Sequence, residues 1–388
     1  MTQTFTELEK HHLDFYVPAY RIIVNTKDLL ADMHMEIASV EVDNTLKGAD
    51  RFSFTVNSLF SFQASKALPS ENAPKFTIIP EVFAFGNAVT IHMGYANSKE
   101  VKDLPVMIEG KITSWQTSFP ASGLPQITVS GYDHSYCMTI GKGEKPLSWA
   151  NKTDSEVVAA VARRYGLSAE VEDTQVRHPM TVKGQESDMQ FLERLAERNG
   201  YELYMRGRTL RFRPPAYEDN PVVSLQWGAG LISFSPEINI SEQVSTVEVR
   251  GWDINTKKEI VGTATRGEEP GRDPNRQSGA ELLARLCPNK GPLKVRIPVF
   301  SRQEAKRRAE AILKKRSEML VKGSGESIGL PEICVDKNIE LLGLGVPFSE
   351  RLDEPSNKDK KRYYVEQSTH TINSSGYKTT FKVKEPTI

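Results

Sequence analysis

Two runs inside Trp149–Pro215, WANKTDSEVVAAVARRYGL (149–167) and QESDMQFLERLAERNGYELYMRGRTLRFRP (185–214), set the frame for the whole chain. Thr153-x-x-Glu156 has the form of a capping box, in which each side chain satisfies a backbone donor at a helix start. Val157, Val158, Val161 and Tyr165 then fall on one helical face, and Gly166 stands where a left-handed terminating residue is wanted. The pattern returns at Ser187-x-x-Gln190, with Met189, Leu192, Leu195 and Ala196 as the apolar stripe and Asn199-Gly200 as the stop. Tyr201, Leu203 and Met205, then Leu210 and Phe212, alternate about Arg206-Gly207-Arg208, which predicts a hairpin, and Pro214-Pro215 closes the unit.

On either side the apolar period changes to two. Tyr20–Val24, Glu36–Val42, Arg51–Val56, Ala88–Met93, Val106–Trp115 and Gln126–Tyr132 are short strand-like runs, clearest at Phe52, Phe54, Val56 and at Ile127, Val129. Six such runs predict a barrel or sandwich. Ala64–Pro74 is predicted to be a loop or insertion. Downstream, Leu231–Phe234, Ser245–Arg250 and Lys294–Val299 are strands, Thr263–Gln277 is a mobile loop, and 302–320 is a helix capped by Ser301 and Glu304. A last hairpin joins Arg362–Ile372 to Tyr377–Val383 across Ser375-Gly376. The predicted fold class is mainly β with an α+β insert. Its parts are an N-terminal arm (1–19), a first barrel (20–145), a helix–helix–hairpin domain (146–216), and a second barrel (217–388) that carries the helix 302–320.

At 388 residues the chain is long enough for several cores. Lys+Arg 50 balances Asp+Glu 50, so no global field draws nucleic acid or an anionic membrane. Hydrophobic content of 38% is low for a globular chain, which points to broad exposed surfaces around modest cores. The longest apolar run, Val157–Ala162, is far too short to span a bilayer. The first residues, MTQTFTELEKHHLDFY, lack an apolar signal core, so synthesis in the cytoplasm is expected. Cys137, Cys287 and Cys334 are widely spaced and outside any CxxC pair, and three reduced structural thiols are expected.

No residue set converges on catalysis. His11-His12 lies in a stretch expected to fray, and His370 in the last hairpin is expected to make a cross-strand polar contact. Gly323-x-Gly325 and Gly343-x-Gly345 lack the strand–GxGxxG–helix setting and are read as turn glycines. Glu172-Asp173 and Glu268-Glu269 are adjacent in loops where nothing desolvates them. GxSxG is absent. Lys306, Arg307, Arg308, Lys314, Lys315 and Arg316, interleaved with Glu304, Glu310 and Glu318, are read as solvated faces of an amphipathic helix. The expectation is a non-enzyme without catalytic, cofactor-binding or metal-binding residues.

In their order and spacing, several motifs resemble the phage late control protein D family, the baseplate hub of contractile tails, and the N-terminal part of VgrG proteins. They are Trp149–Val158 with Arg164-Tyr-Gly-Leu167, Gln185-Glu-Ser-Asp188 with Phe191–Ala196 and Gly200-Tyr201, and Ile339–Gly345 followed by Tyr364–Ile372. The resemblance covers about Tyr20 to Val383. It implies two tail-tube-like β-barrels flanking a small α/β domain. Three copies would form a ring that joins a hexameric inner tube protein to a trimeric spike and meets baseplate wedge proteins, in a phage tail or injection particle. VgrG-type chains continue into an OB-fold and a needle, whereas this one stops at Ile388, so the spike is expected on a separate polypeptide. A competing likeness is to LysM modules, which grip cell-wall peptidoglycan: Asp154–Tyr165 loosely resembles their first helix. That reading requires a βααβ unit, free at a terminus or repeated.

Overall fold

A computed structural model of the chain describes residues 2–12, 15–57, 60–61, 75–76, 82–96, 104–122, 125–141, 147–254, 256–269, 276–349 and 361–388. The predicted insertion at Ala64–Pro74 lies outside the described residues.

The first third opens with a helix, α1 (Phe5–His11), followed by β1 (Pro18–Val24), β2 (Lys27–Asp28), β3 (Glu36–Thr45) and β4 (Arg51–Asn57). The short pair β5 (Phe60–Ser61) and β6 (Lys75–Phe76) precedes β7 (Ala88–Tyr95), β8 (Val106–Ser118), β9 (Gln126–Asp133) and a turn of helix, α2 (Tyr136–Thr139). Alternation decides which face is buried: Phe52, Phe54 and Val56 on β4, and Ile127 and Val129 on β9, all point into one core with Ile22, Val40, Val42, Val89 and Ile91. The strands run β2-β1-β7-β8-β9-β4-β3 around that core. Gly131 is required where β9 passes the Phe52 ring, because a Cβ there would lie 2.4 Å from Phe52 Cζ.

The central module runs β10 (Leu147–Thr153), α3 (Asp154–Arg164), β11 (Ser168–Val171), β12 (Arg177–Lys183), α4 (Asp188–Asn199), β13 (Glu202–Arg206) and β14 (Thr209–Arg213). Both expected capping boxes form, at Thr153 with Glu156 and at Ser187 with Gln190, and Gly200 takes the left-handed terminating conformation. The expected apolar stripes meet as one core of Val157, Val158, Val161, Leu192, Leu195, Leu210 and Phe212. The predicted hairpin is β13–β14, with Gly207 at φ +58°.

The last third contains β15 (Val223–Trp227), β16 (Gly230–Ile238), β17 (Thr246–Asp253), β18 (Lys258–Thr265), α5 (Gly279–Leu286), β19 (Leu293–Arg296), α6 (Arg302–Ser317), β20 (Val321–Ile328), β21 (Asn338–Leu342), β22 (Arg362–Asn373) and β23 (Gly376–Glu385). Six of these strands close in the order β22-β21-β15-β16-β20-β23 and back to β22. Their core holds Leu225, Leu231, Val321, Ile339, Tyr363, Val365, Phe381 and Val383. The intervening β17, β18 and β19 form a separate three-stranded sheet, and α6 packs its Ala305, Ala309 and Leu313 against that sheet's Val247 and Val249. The loop expected from Thr263 begins later than the sequence suggested, since Thr263–Thr265 pairs with β17; residues 270–275 lie outside the described residues.

The molecule is therefore mainly β, with two barrels flanking a small α/β module. The barrels are fused through β22. Its Arg362–Tyr364 end pairs with β21 of the second barrel, while Gln367–Ile372 pairs with β3 of the first. Along nearly its whole length the same strand pairs with β23 on the other side.

Candidate functional site

The groups that stood out in the sequence are drawn into the joints between these parts. The basic run on α6 is only partly a solvated face: Lys306 and Lys315 are exposed, whereas Lys314 is buried. Arg307 donates to Thr174 O at 2.6 Å and to Gln175 Oε1 at 2.7 Å in the central module. Lys315 pairs with Glu197, Arg316 with Glu242, and Lys306 with Glu268 at 3.5 Å. Lys314 is buried, donates to Gly200 O, and lies 3.6 Å from Glu318. Burial pushes its ammonium down to about 8 despite Glu318 and Glu202 nearby. Arg307, Lys314 and Lys315 clamp α6 onto the end of α4 and the loop after β11, while Arg316 and Lys306 tie it to the segments before β17 and after β18.

Next to that clamp, three segments meet around a buried ammonium. Lys384 Nζ lies 3.1 Å from Glu202 Oε1 on β13 and 3.2 Å from Glu318 Oε2 beyond α6. Tyr364 OH donates to Glu202 and Tyr217 OH donates to Glu318 at 2.5 Å, while both rings sit under the Lys384 cation. Burial alone would lower Lys384 and raise Glu318. The charges of Glu202 and Glu318 instead hold the lysine above its ordinary value, and Lys384 and Lys314 hold Glu318 below its own. Close by, Arg213 reaches Asp336 at 2.5 Å, tying β14 to the connection before β21. A second buried set, Asp154, Arg198, His178 and Glu304, joins the module to the start of α6, with His178 Nδ1 3.5 Å from Glu304 Oε1. These sets pair charges across the joints between elements, which suits holding a shape rather than turning over a substrate.

The remaining candidates are structural as well. His370 is fully buried, with Nδ1 3.0 Å from Tyr377 OH and Nε2 3.0 Å from Ile333 O; burial lowers its pKa to about 4 and keeps it neutral. Gly343 and Gly345 do occupy turns, at φ +76° and +70°. Gly323 and Gly325 do not: they lie on β20, where a Cβ would come 2.5 Å from the Phe234 ring and 2.6 Å from the Phe381 ring. Glu172 and Asp173 are exposed. Glu269, expected in an undesolvated loop, is buried and accepts from Gly267 N and from Ser278 Oγ at the start of α5. Cys137 and Cys287 are free and exposed rather than packed thiols, and Cys334 is half-buried.

The N-terminal segment does not fray around His12. Gln3 bridges to Val223 in parallel, Leu8 is fully buried in the second barrel's core, and His12 Nε2 lies 2.9 Å from Glu332 Oε1. Sequence reasoning missed this because the apolar anchor is one leucine in a charged heptapeptide. It also missed an acid pair, Asp50 and Asp133. Asp133 accepts from Ser135 N, Ser135 Oγ and Asp50 N. Asp50 has fewer donors, Asn44 Nδ2 and Thr45 N, so burial and the neighbouring Asp133 push it up to about 7.

What is left for partners is apolar surface. Phe85 and Trp115 stack on the outside of the first barrel at 6.0 Å. Trp227 is 63% exposed, and Trp252 and Ile254, at the tip of β17, are 60% and 82% exposed. Large aromatic side chains in this setting are the usual anchors of protein interfaces. The pairing required for a LysM module does not form: β10 pairs with β12, and β13 with β14. No helix among the described residues is long and apolar enough to cross a membrane.

The same fold occurs in solved structures of tail proteins. The 43 kDa tail protein of prophage MuSo2 from Shewanella oneidensis aligns over 95% of this chain and 98% of its own, at 15% identity and a TM-score of 0.61. A tail protein from Neisseria meningitidis MC58 aligns over 95% and 97%, at 12% identity and a TM-score of 0.63. The c3393 protein of E. coli, a component of the type VI secretion system, aligns over 90% and 73%, at 10% identity and a TM-score of 0.53. No curated protein matches the chain. The family model described as the Alg8 N-terminal domain matches residues 71–352, well over half of the sequence, and the chain belongs to that family.

Proposed function

We propose that this protein is a structural baseplate hub of a contractile tail or contractile injection system, of the late control protein D type, and that it works as a homotrimer. In this reading the three chains bring six barrels to one ring. A ring so built meets a hexameric inner tube on one face and a separate trimeric spike on the other, with wedge proteins at its rim. The observation that carries the reading is the fusion of two barrels through β22, which fixes their mutual orientation within each chain. The buried ionic joints and the exposed Phe85–Trp115, Trp227 and Trp252 side chains support it: the chain is braced inside and apolar at several separate places outside. Heterologous, ring-forming contacts need such separate patches on one protomer. The whole-length likeness to tail proteins gives the same direction, although the family's own description names neither tail nor hub.

The test is light scattering on the purified chain across a concentration series, alone and with a tail-tube protein and a spike protein encoded beside it. A trimer, alone or nucleated by the spike, is expected. A monomer that persists with both partners present would overturn the reading.

A further inference from the structure

A cleft of about 540 Å³ opens where the N-terminal helix, the first barrel, the β13–β14 turn and the connection between β20 and β21 come together. His11, His12 and Glu332 stand on its wall, and one ligand-capable atom from each lies within 4.8 Å of the other two. His12 is buried, and its Nε2 lies 2.9 Å from Glu332 Oε1. That single contact leaves the other carboxylate oxygen, Oε2, enclosed with no hydrogen-bond partner among the described residues. An orphaned buried carboxylate oxygen is costly. The rings of His11 and His12 lie 4.7 Å apart, edge to face. Asp50, Glu109 and Asp133 also line the cleft, facing Arg206 and Lys337.

We infer that His11, His12 and Glu332 form a binding site for a divalent transition metal, zinc by its donor set. Two imidazoles and one carboxylate are a common zinc triad, with the fourth position open to a water in the cleft. Ligand atoms around a tetrahedral zinc are about 3.3 Å apart, so small rotations of the exposed His11 ring and of the Glu332 carboxylate complete the geometry. The bound ion would pin α1, and with it the strand-like Gln3 segment, to the second barrel. It would do so beside Tyr95 of the first barrel, whose hydroxyl donates to Gly329 O at 2.9 Å. This inference stands apart from the hub reading and survives its failure.

The full chain, stripped with a chelator, is titrated with Co²⁺ and followed by visible absorption, then back-titrated with Zn²⁺. One Co²⁺ per chain, displaced by Zn²⁺, is expected, with a rise in Tm that saturates at one equivalent. His11→Ala removes an exposed ligand without touching the core, so it should fold as the parent does. It should weaken binding by more than about 10-fold, the least expected even from losing a residue that merely orients a ligand. Glu332→Gln should do the same. Absence of stoichiometric binding to the parent chain, or parental affinity in His11→Ala, would overturn the site.

Discussion

At the scale of single residues, the most consequential group is Asp50. Its carboxyl is near 3.8 in an unfolded chain and about 7 when folded, chiefly through burial and then through Asp133. The folded state therefore holds a proton that the unfolded state gives up, so stability is greatest below about pH 4 as far as this group is concerned. It declines as pH rises toward 7 and is flat beyond. Asp50→Asn should remove that slope. The buried Asn44 Oδ1 has no partner among the described residues, so reversing the Asn44 amide lets it accept from the side-chain NH₂ that the substitution introduces. Urea midpoints at pH 5 and pH 8 are expected to differ less in Asp50→Asn than in the parent, with the variant the more stable at pH 8 by a few kcal/mol at most. Lys384 is the opposite case, a charge kept by its partners. Lys384→Met strands Glu202 and Glu318 in the interior, and a loss of about 3–5 kcal/mol is expected in chemical denaturation.

Among the elements, those carrying local signals were legible. The boxes at Thr153 and Ser187, the Gly200 stop and the Gly207 turn each act within four residues, and each formed as read. The alternation of Phe52, Phe54 and Val56 likewise identified β4 and its buried face. Signals that depend on distant partners were not legible. The cations of α6 looked solvated because their acceptors, Thr174, Gln175, Glu197 and Gly200, lie more than 100 residues away in sequence. Lys384 and Glu202 are separated by 182 positions, and in sequence Lys384 falls on the polar side of the β23 alternation with Lys378 and Lys382, so nothing local marked it for burial. Gly323 and Gly325 read as turns because glycine is the usual turn residue, whereas on β20 they make room for the Phe234 and Phe381 rings. Gly323→Ala should cost about 1–3 kcal/mol of stability through overpacking, measured as a lower urea midpoint.

For the whole molecule, the sequence supports an order of parts, strand-rich, helix–hairpin, strand-rich, and the structure supplies what joins them. Strand β22 belongs to both barrels, and β23 runs beside it over almost its full length. A strand held in three ladders cannot be peeled from one half while the other stays whole. Separating the two halves would require hydrogen bonds of those ladders to break together. Pulled from its two ends in optical tweezers, the chain is expected to give way in one dominant rupture spanning both barrels, not in two separable steps. A rigid coupling of this kind would carry an axial stroke from one end of the protein to the other with little lost to internal give.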